Sequence, residues 1–101
     1  MGTRLELHEV LCNLLGNRHV YYQPPESVKL EYPAIVYHRE TIDSEFADNS
    51  RYTKTNNYAI TLITRTPDSP VIDAILDLPL TSHTRHFATE GLYHDIFTIY
   101  F

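Results

Sequence analysis

The run Tyr58, Ala59, Ile60, Thr61, Leu62, Ile63, Thr64, Arg65 constrains this chain more than any other stretch. Ile60, Thr61, Ile63 and Thr64 are β-branched and Tyr58 is aromatic, so the run favours extended backbone and packs well on a pleated surface. Side chains alternate across a strand, which puts Tyr58, Ile60 and Leu62 on one strongly apolar face and Ala59, Thr61, Ile63 and Arg65 on the other. This is the pattern of a central strand whose first face is covered by helices. Pro67 and Pro70 stop it. Ser69 stands where a helix N-cap belongs, and Pro70 falls at the first helical position, where a missing N–H costs nothing. A short helix over residues 71–78 follows, with Val71, Ile72, Ile75 and Leu76 as its apolar stripe, Asp73 and Asp77 on its outer side, and Pro79 ending it.

The rest of the chain supplies partners for that strand. Leu7, Val10, Leu11, Leu14 and Leu15 recur at helical spacing over residues 3–15, with Thr3 and Glu6 as a capping box and Gly16 just past the end. Val20, Tyr21 and Tyr22 make a short strand before Gln23, Pro24 and Pro25 break regular structure. A loop runs to Pro33, and residues 34–40 form a second strand that is apolar at its start and polar towards its end. Residues 81–88 and 92–101 read as two strands joined by a turn at Thr89, Glu90 and Gly91, with Gly91 supplying a positive φ. On the last strand Tyr93, Asp95, Phe97, Ile99 and Phe101 share a face, opposite His94, Ile96, Thr98 and Tyr100. The expectation is a single α+β domain over residues 1–101: a two-layer fold with a mostly antiparallel sheet of about four to five strands and two helices on one face.

Between the second strand and the central one the sequence turns polar. Asp43, Ser44, Glu45, Asp48, Asn49 and Ser50 surround Phe46, and residues 41–56 read as the longest loop or, equally, as an extended hairpin tip with Phe46 tucked on its own stem. Long loops in compact domains usually carry function, so Asp43, Glu45, Phe46, Asp48, Asn49 and Arg51 are the candidate partner-binding residues.

Function classes narrow by exclusion. No apolar run is long enough to cross a bilayer, and the N-terminus lacks the basic, apolar and small-residue regions of a secretory signal, so neither membrane insertion nor export is expected. The net charge of −5 argues against a nucleic-acid reader, which needs basic residues to displace counterions from phosphates. The single cysteine, Cys12, excludes an internal disulfide and sits in a helix stripe as a small hydrophobe. Six histidines invite a metal hypothesis, but none is at ligand spacing: His83 and His86, three apart in a strand, are expected to face opposite ways, and His8, His19, His38 and His94 stand singly. With only Gly2, Gly16 and Gly91 there is no phosphate loop and no nucleophile elbow. His86 with Asp95, or His94 beside Asp95, is the one acid–base combination available to a small ligand-binding or hydrolytic domain, and a pocket lined by the three would mark it. No catalytic residue, cofactor or metal is therefore expected. The eight tyrosines exceed what a small core needs and suit protein contacts, although half-buried strand positions account for most of them.

Read in order, Leu14-Leu15-Gly16-Asn17, Val20-Tyr21-Tyr22-Gln23-Pro24-Pro25, Tyr32-Pro33-Ala34-Ile35-Val36-Tyr37, Phe46-Ala47-Asp48, Thr66-Pro67-Asp68-Ser69 and Leu92-Tyr93-His94-Asp95-Ile96-Phe97 resemble the small tail-terminator or tail-completion proteins of long-tailed bacteriophages nearly end to end. The resemblance implies a structural virion protein without catalytic residues. Such a protein assembles in the host cytoplasm as a hexameric ring on the head-proximal end of the tail, stops growth of the tail tube, and presents the surface that joins the head. Its implied partners are further copies of itself, the tail tube protein and the head–tail connector proteins. A head–tail adaptor or head-closure role is the nearest alternative in the same setting.

Overall fold

The computed structural model describes residues 3–25, 27–47 and 50–101, with the side chains of residues 43–55 excepted. In chain order the elements are α1 (Arg4–Leu15), β1 (Val20–Tyr22), β2 (Ala34–Ala47), β3 (Ser50–Thr64), α2 (Pro70–Leu76), β4 (Thr81–Thr89) and β5 (Leu92–Tyr100). The strands form one five-stranded sheet in the order β1-β2-β3-β5-β4. Only β1 and β2 run parallel; the other neighbours are antiparallel. The run from Tyr58 is thus the middle of the sheet, as its composition requires, and the architecture is α+β.

Helix boundaries follow local chemistry. The Thr3 hydroxyl accepts the Glu6 backbone N–H at 3.2 Å, although the Glu6 carboxylate bonds the Thr3 hydroxyl rather than completing the box at the backbone. Gly16 ends α1 in the left-handed region at φ 84°, its N–H returning to the Cys12 carbonyl at 2.9 Å. Ser69 caps α2 by accepting from the Val71 N–H at 3.3 Å, with Pro70 first in the helix.

The core lies between the helices and one sheet face. Leu7 and Leu11 of α1 and Ile75 of α2 are fully buried against Ile35, Tyr37, Tyr58, Ile60, Leu62, Phe97 and Ile99. The registers Ile35↔Leu62, Tyr37↔Ile60, Ile60↔Phe97 and Tyr58↔Ile99 put all of these strand residues on that one face. Leu76 departs from the expected stripe. It is the last residue of a seven-residue helix and stands exposed, while Leu78, just past the cap, packs on the core in its place.

Two further differences come from hydrogen bonding that composition does not reveal. The turn after β4 is a two-residue connection between the paired Thr89 and Leu92, and both of its central residues have positive φ, Glu90 at 52° and Gly91 at 77°. A hairpin this tight needs both, because its twist must match that of the strands. The second concerns residues 41–56, where polar composition left a loop and an extended hairpin equally open and strand pairing decides for the hairpin: β2 continues to Ala47 and β3 begins at Ser50, paired from Thr41↔Asn57 to Ala47↔Ser50. Cross-strand bonding does not depend on an apolar face, and Thr41, Ile42, Tyr52, Thr53 and Thr55 suit extended backbone whether or not they are buried.

Ile60 is enclosed on every side, so Ile60→Ala is expected to lower unfolding free energy by about 2–5 kcal/mol. Urea denaturation with an unchanged m-value is the measurement; a loss well under 1 kcal/mol would mean that the sheet centre is not the core.

Candidate functional site

The candidate interface is built on the outer halves of β2 and β3. β1 pairs with β2 only from Ile35 to Tyr37, and β5 pairs with β3 only from Asn57 to Thr64. Phe101 reaches β3 last, at the Asn56 carbonyl, and beyond Thr41 and Asn56 each of the two strands has, among the described residues, the other strand alone beside it. The result is a two-stranded ribbon that leaves the body of the sheet, in a molecule 52 Å long and 29 by 23 Å across. Six residues at strand rise give the ribbon a reach of roughly 20 Å. Asp43 pairs with Thr55, Glu45 with Thr53, and Phe46 directly with Arg51, after a register shift between Glu45 and Phe46. Four of the six residues singled out for partner binding therefore lie on this ribbon. Their side chains, and Asp48 and Asn49 altogether, lie outside the described residues.

At the base of the ribbon, a row of tyrosines closes the core face, Tyr37 and Tyr58 fully buried and Tyr22 packed against them. Tyr22, Tyr37 and Tyr58 follow one another across β1, β2 and β3, with ring centres 5.0 and 6.1 Å apart. Arg4 lies over the Tyr22 ring at 4.4 Å, and Arg39 donates to the Tyr58 hydroxyl at 3.1 Å. The Tyr37 hydroxyl meets His8 Nδ1 at 2.8 Å. Burial pushes the Tyr37 hydroxyl above its ordinary pKa, the nearby Arg4 opposing this in part. His8 is held below the ordinary imidazole value, first by burial and then by the positive charges of Arg18 and Arg4. Both partners are favoured in their neutral forms, so the contact is a hydrogen bond between uncharged groups.

The second cluster overturns an expectation. His83 and His86 do not face opposite ways. The pairing slips between His83↔Phe97 and Arg85↔Ile96, leaving one extra residue on β4, and this bulge returns both imidazoles to the helix-side face. His83 Nε2 and His86 Nδ1 lie 3.0 and 2.7 Å from the same oxygen, Asp95 Oδ1. Asp95 is 2% exposed and its Oδ2 has no hydrogen-bond partner. His94 is elsewhere: it faces the other side of the sheet and stacks flat on Phe87 with centres 4.7 Å apart.

What this cluster can do follows from what surrounds it. Asp95 orients His86 as it would a general base, but Ser82 and Thr84, the hydroxyls flanking His83, belong to the opposite face, where Ser82 pairs with Thr98 and Thr84 bonds its hydroxyl. Neither of these hydroxyls, among the described residues, is aligned as a nucleophile for the pair. Among the described residues no group of three or more His, Cys, Asp or Glu is arranged to hold a metal ion. The arrangement instead pins an edge strand. A carboxylate too buried to be hydrated accepts two N–H groups from β4 and thereby holds the bulge in place. Cys12 is buried in α1, and that burial raises its thiol pKa, which disfavours the reactive thiolate.

The pairing of His86 with Asp95 was among the combinations the sequence offered, whereas His94 is not part of it and the arrival of His83 on the same carboxylate was not foreseen, because a bulge one residue long has no composition of its own and strict alternation separates residues 83 and 86. The Tyr22, Tyr37 and Tyr58 row was legible only as an excess of tyrosine; its order comes from strand pairing.

Two outcomes are expected. His83→Ala and His86→Ala should each cost about 0.5–1.5 kcal/mol alone, and less in an Asp95→Asn background, because all three groups share one network. A double-mutant cycle by chemical denaturation checks this, and strict additivity would mean that the contacts are incidental. For His8 the folded-state pKa is depressed, so the fold resists its protonation. Its contribution is intact above the ordinary imidazole pKa and is lost as pH falls through and below that value. His8→Gln should flatten the stability profile on that acidic side while leaving it unaltered at higher pH, as read by melting temperature against pH.

No known protein-family model matches the chain and no curated protein sequence matches it, so the functional reading rests on the geometry above together with the sequence resemblance.

Proposed function

We propose that this chain is a structural, non-enzymatic assembly protein that completes the tail of a long-tailed bacteriophage. Copies of it join in a ring, six by the resemblance, at the head-proximal end of the tail tube, end the tube's growth and give the head-joining proteins a surface to meet. It takes this place in the virion after assembly in the host cytoplasm.

The observation that carries the reading is the ribbon. A two-stranded hairpin without a third strand or a covering layer is marginal in water, yet here it extends from a sheet that is otherwise packed. An element of this kind gains its surface burial from a neighbouring molecule, by laying its edges and side chains on another subunit or on the tube. The sequence along it suits this use, since Phe46 stands among Asp43, Glu45 and Arg51 as an apolar anchor within a polar rim. Ring contacts are heterologous, one patch meeting a different patch on the next copy, and closure sets the copy number. An edge strand pinned by an imidazole–carboxylate cluster and a core confined to one sheet face fit a rigid body that carries such an element.

The charge distribution supports protein partners over nucleic acid. Four arginines, Arg4, Arg39, Arg65 and Arg85, lie over the rings of Tyr22, Tyr58, Tyr32 and Phe87, and the basic residues are scattered along a chain of net charge −5. No helix of the described residues is long and apolar enough to cross a membrane.

Phe46→Ala in the full chain separates folding from assembly. Ring formation or capping of tubes made from the tail tube protein encoded with it should weaken by more than about 1 kcal/mol, while the melting temperature of the free chain holds. A variant that lost several degrees yet capped tubes normally would make Phe46 a core residue and sink the interface reading. The wild-type chain should also show no salt-sensitive binding to duplex DNA in a fluorescence titration; sub-micromolar binding would contradict the charge argument.

A further inference from the structure

We infer that the notch left where β1 ends, between Arg4 and Arg39, is a docking site for an extended acidic segment of a protein partner, which lays a carboxylate against the two guanidinium groups and its backbone along β2. The site stands on its own geometry beside the assembly reading above and uses no residue of the ribbon.

The notch follows from hydrogen bonding. On the side of β2 that faces β1, the Ile35 N–H donates to the His19 carbonyl and the Gln23 N–H donates to the Tyr37 carbonyl, each at 3.0 Å. Backbone groups point to the same side of a strand at every second residue, so Arg39 is the next to face that way. The register shift in β2 comes only after Arg39, so the alternation holds up to it. By then β1 has ended. Its last residue is Tyr22, and Gln23 turns the chain aside at φ 43°. Among the described residues the Arg39 N–H and C=O therefore have no strand beside them, and an edge of this kind is what an added extended segment pairs with.

Side chains converge on the same place from the helix side. Tyr22 pairs with Tyr37 and Arg39 with Tyr58, so all four share the face that α1 covers. Arg4 of α1 lies over the Tyr22 ring at 4.4 Å, and Arg39 donates to the Tyr58 hydroxyl at 3.1 Å. Both act across the row as well. Burial raises the pKa of the Tyr37 hydroxyl and Arg4 opposes it, while Arg39 is held charged first by its bond to Tyr58 and more weakly by the Tyr22 hydroxyl. A guanidinium stacked on a ring spends its face, and one bonded to a hydroxyl spends a single N–H. The remaining in-plane N–H groups form a fork that matches a carboxylate, and the tyrosines hold that fork in position.

Charge identifies the occupant. With 13 acidic and 8 basic residues, the chain has carboxylates enough for its arginines. Yet among the described residues neither Arg4 nor Arg39 has one within ion-pair distance. The acids close to them in sequence are engaged elsewhere, Glu6 with the Thr3 hydroxyl, Glu9 with Arg18 and Glu40 with His38. His8 adds no charge at neutral pH, because burial first and then Arg18 and Arg4 hold it below its ordinary value. Two guanidinium groups beside an open strand edge suit a carboxylate carried on a peptide, whereas a nucleic acid would need a basic stripe continuing past them on a chain of net charge −5.

The test follows the backbone amide and arginine side-chain NMR signals of the isotopically labelled full chain. The probes are a short Glu-rich peptide, its Gln-rich counterpart, inorganic phosphate and duplex DNA. The Glu-rich peptide should bind saturably and shift the Arg4 and Arg39 side chains together with the Arg39 backbone amide. Arg4→Gln and Arg39→Gln should each weaken it roughly tenfold while Arg85→Gln, on β4, leaves its affinity unchanged. Arg39→Lys, which keeps the charge and loses the fork, should fall between the wild type and Arg39→Gln, with thermal unfolding showing that every variant is folded. Equal weakening by all three glutamine variants, or equal binding of the Gln-rich peptide, would reduce the contact to general charge or surface and overturn the site. Tighter binding of phosphate or DNA at the same two arginines would overturn the peptide assignment. A chain that forms rings on the tail tube protein but leaves the peptide unbound sinks this site alone; one that binds the peptide yet stays single with and without the tube protein sinks the assembly reading and keeps the site.

Discussion

The contact on which the rest of this molecule depends is the burial of Tyr58, Ile60 and Leu62 beneath the two helices. All three are fully enclosed, and each is paired on both sides, so β3 can be nowhere but the middle of the sheet. Ile35 and Tyr37 face the same layer from one side and Phe97 and Ile99 from the other, and Leu7, Leu11 and Ile75 close it from above. Apolar burial is non-directional, but the two-residue period of the strand makes it selective: a slip of one residue would turn the whole set to the uncovered face.

Towards the margins of the sheet the apolar argument weakens and polar groups take over. At β4 the strand edge is fixed by Asp95, whose carboxylate sits across from Leu62 on the core side and is satisfied through one oxygen by two imidazoles. At the ribbon base, hydroxyls, guanidinium groups and the His8 ring carry the core face into solvent, each polar tip bonded while its ring stays buried. Both arrangements let a strand end or bend while its polar groups stay bonded, the Oδ2 of Asp95 excepted.

The molecule thus divides by the source of its order. The body is ordered by burial, whereas the ribbon past Thr41 is, among the described residues, joined to it through β2 and β3.

Much of this was legible in the residues themselves. β-branched density and alternation located β3 and β5, the helical spacing of Leu7, Leu11 and Leu15 located α1, and Thr3, Gly16, Ser69, Pro70 and Gly91 marked caps and turns, because each of these signals is local in range. For residues 41–56 the sequence left a loop and an extended hairpin equally open, since periodicity reports burial and the ribbon's hydrogen bonds require none; strand pairing decided for the hairpin. The meeting of His83 and His86 on Asp95 was not legible, because one extra residue in β4 reverses the facing that alternation dictates.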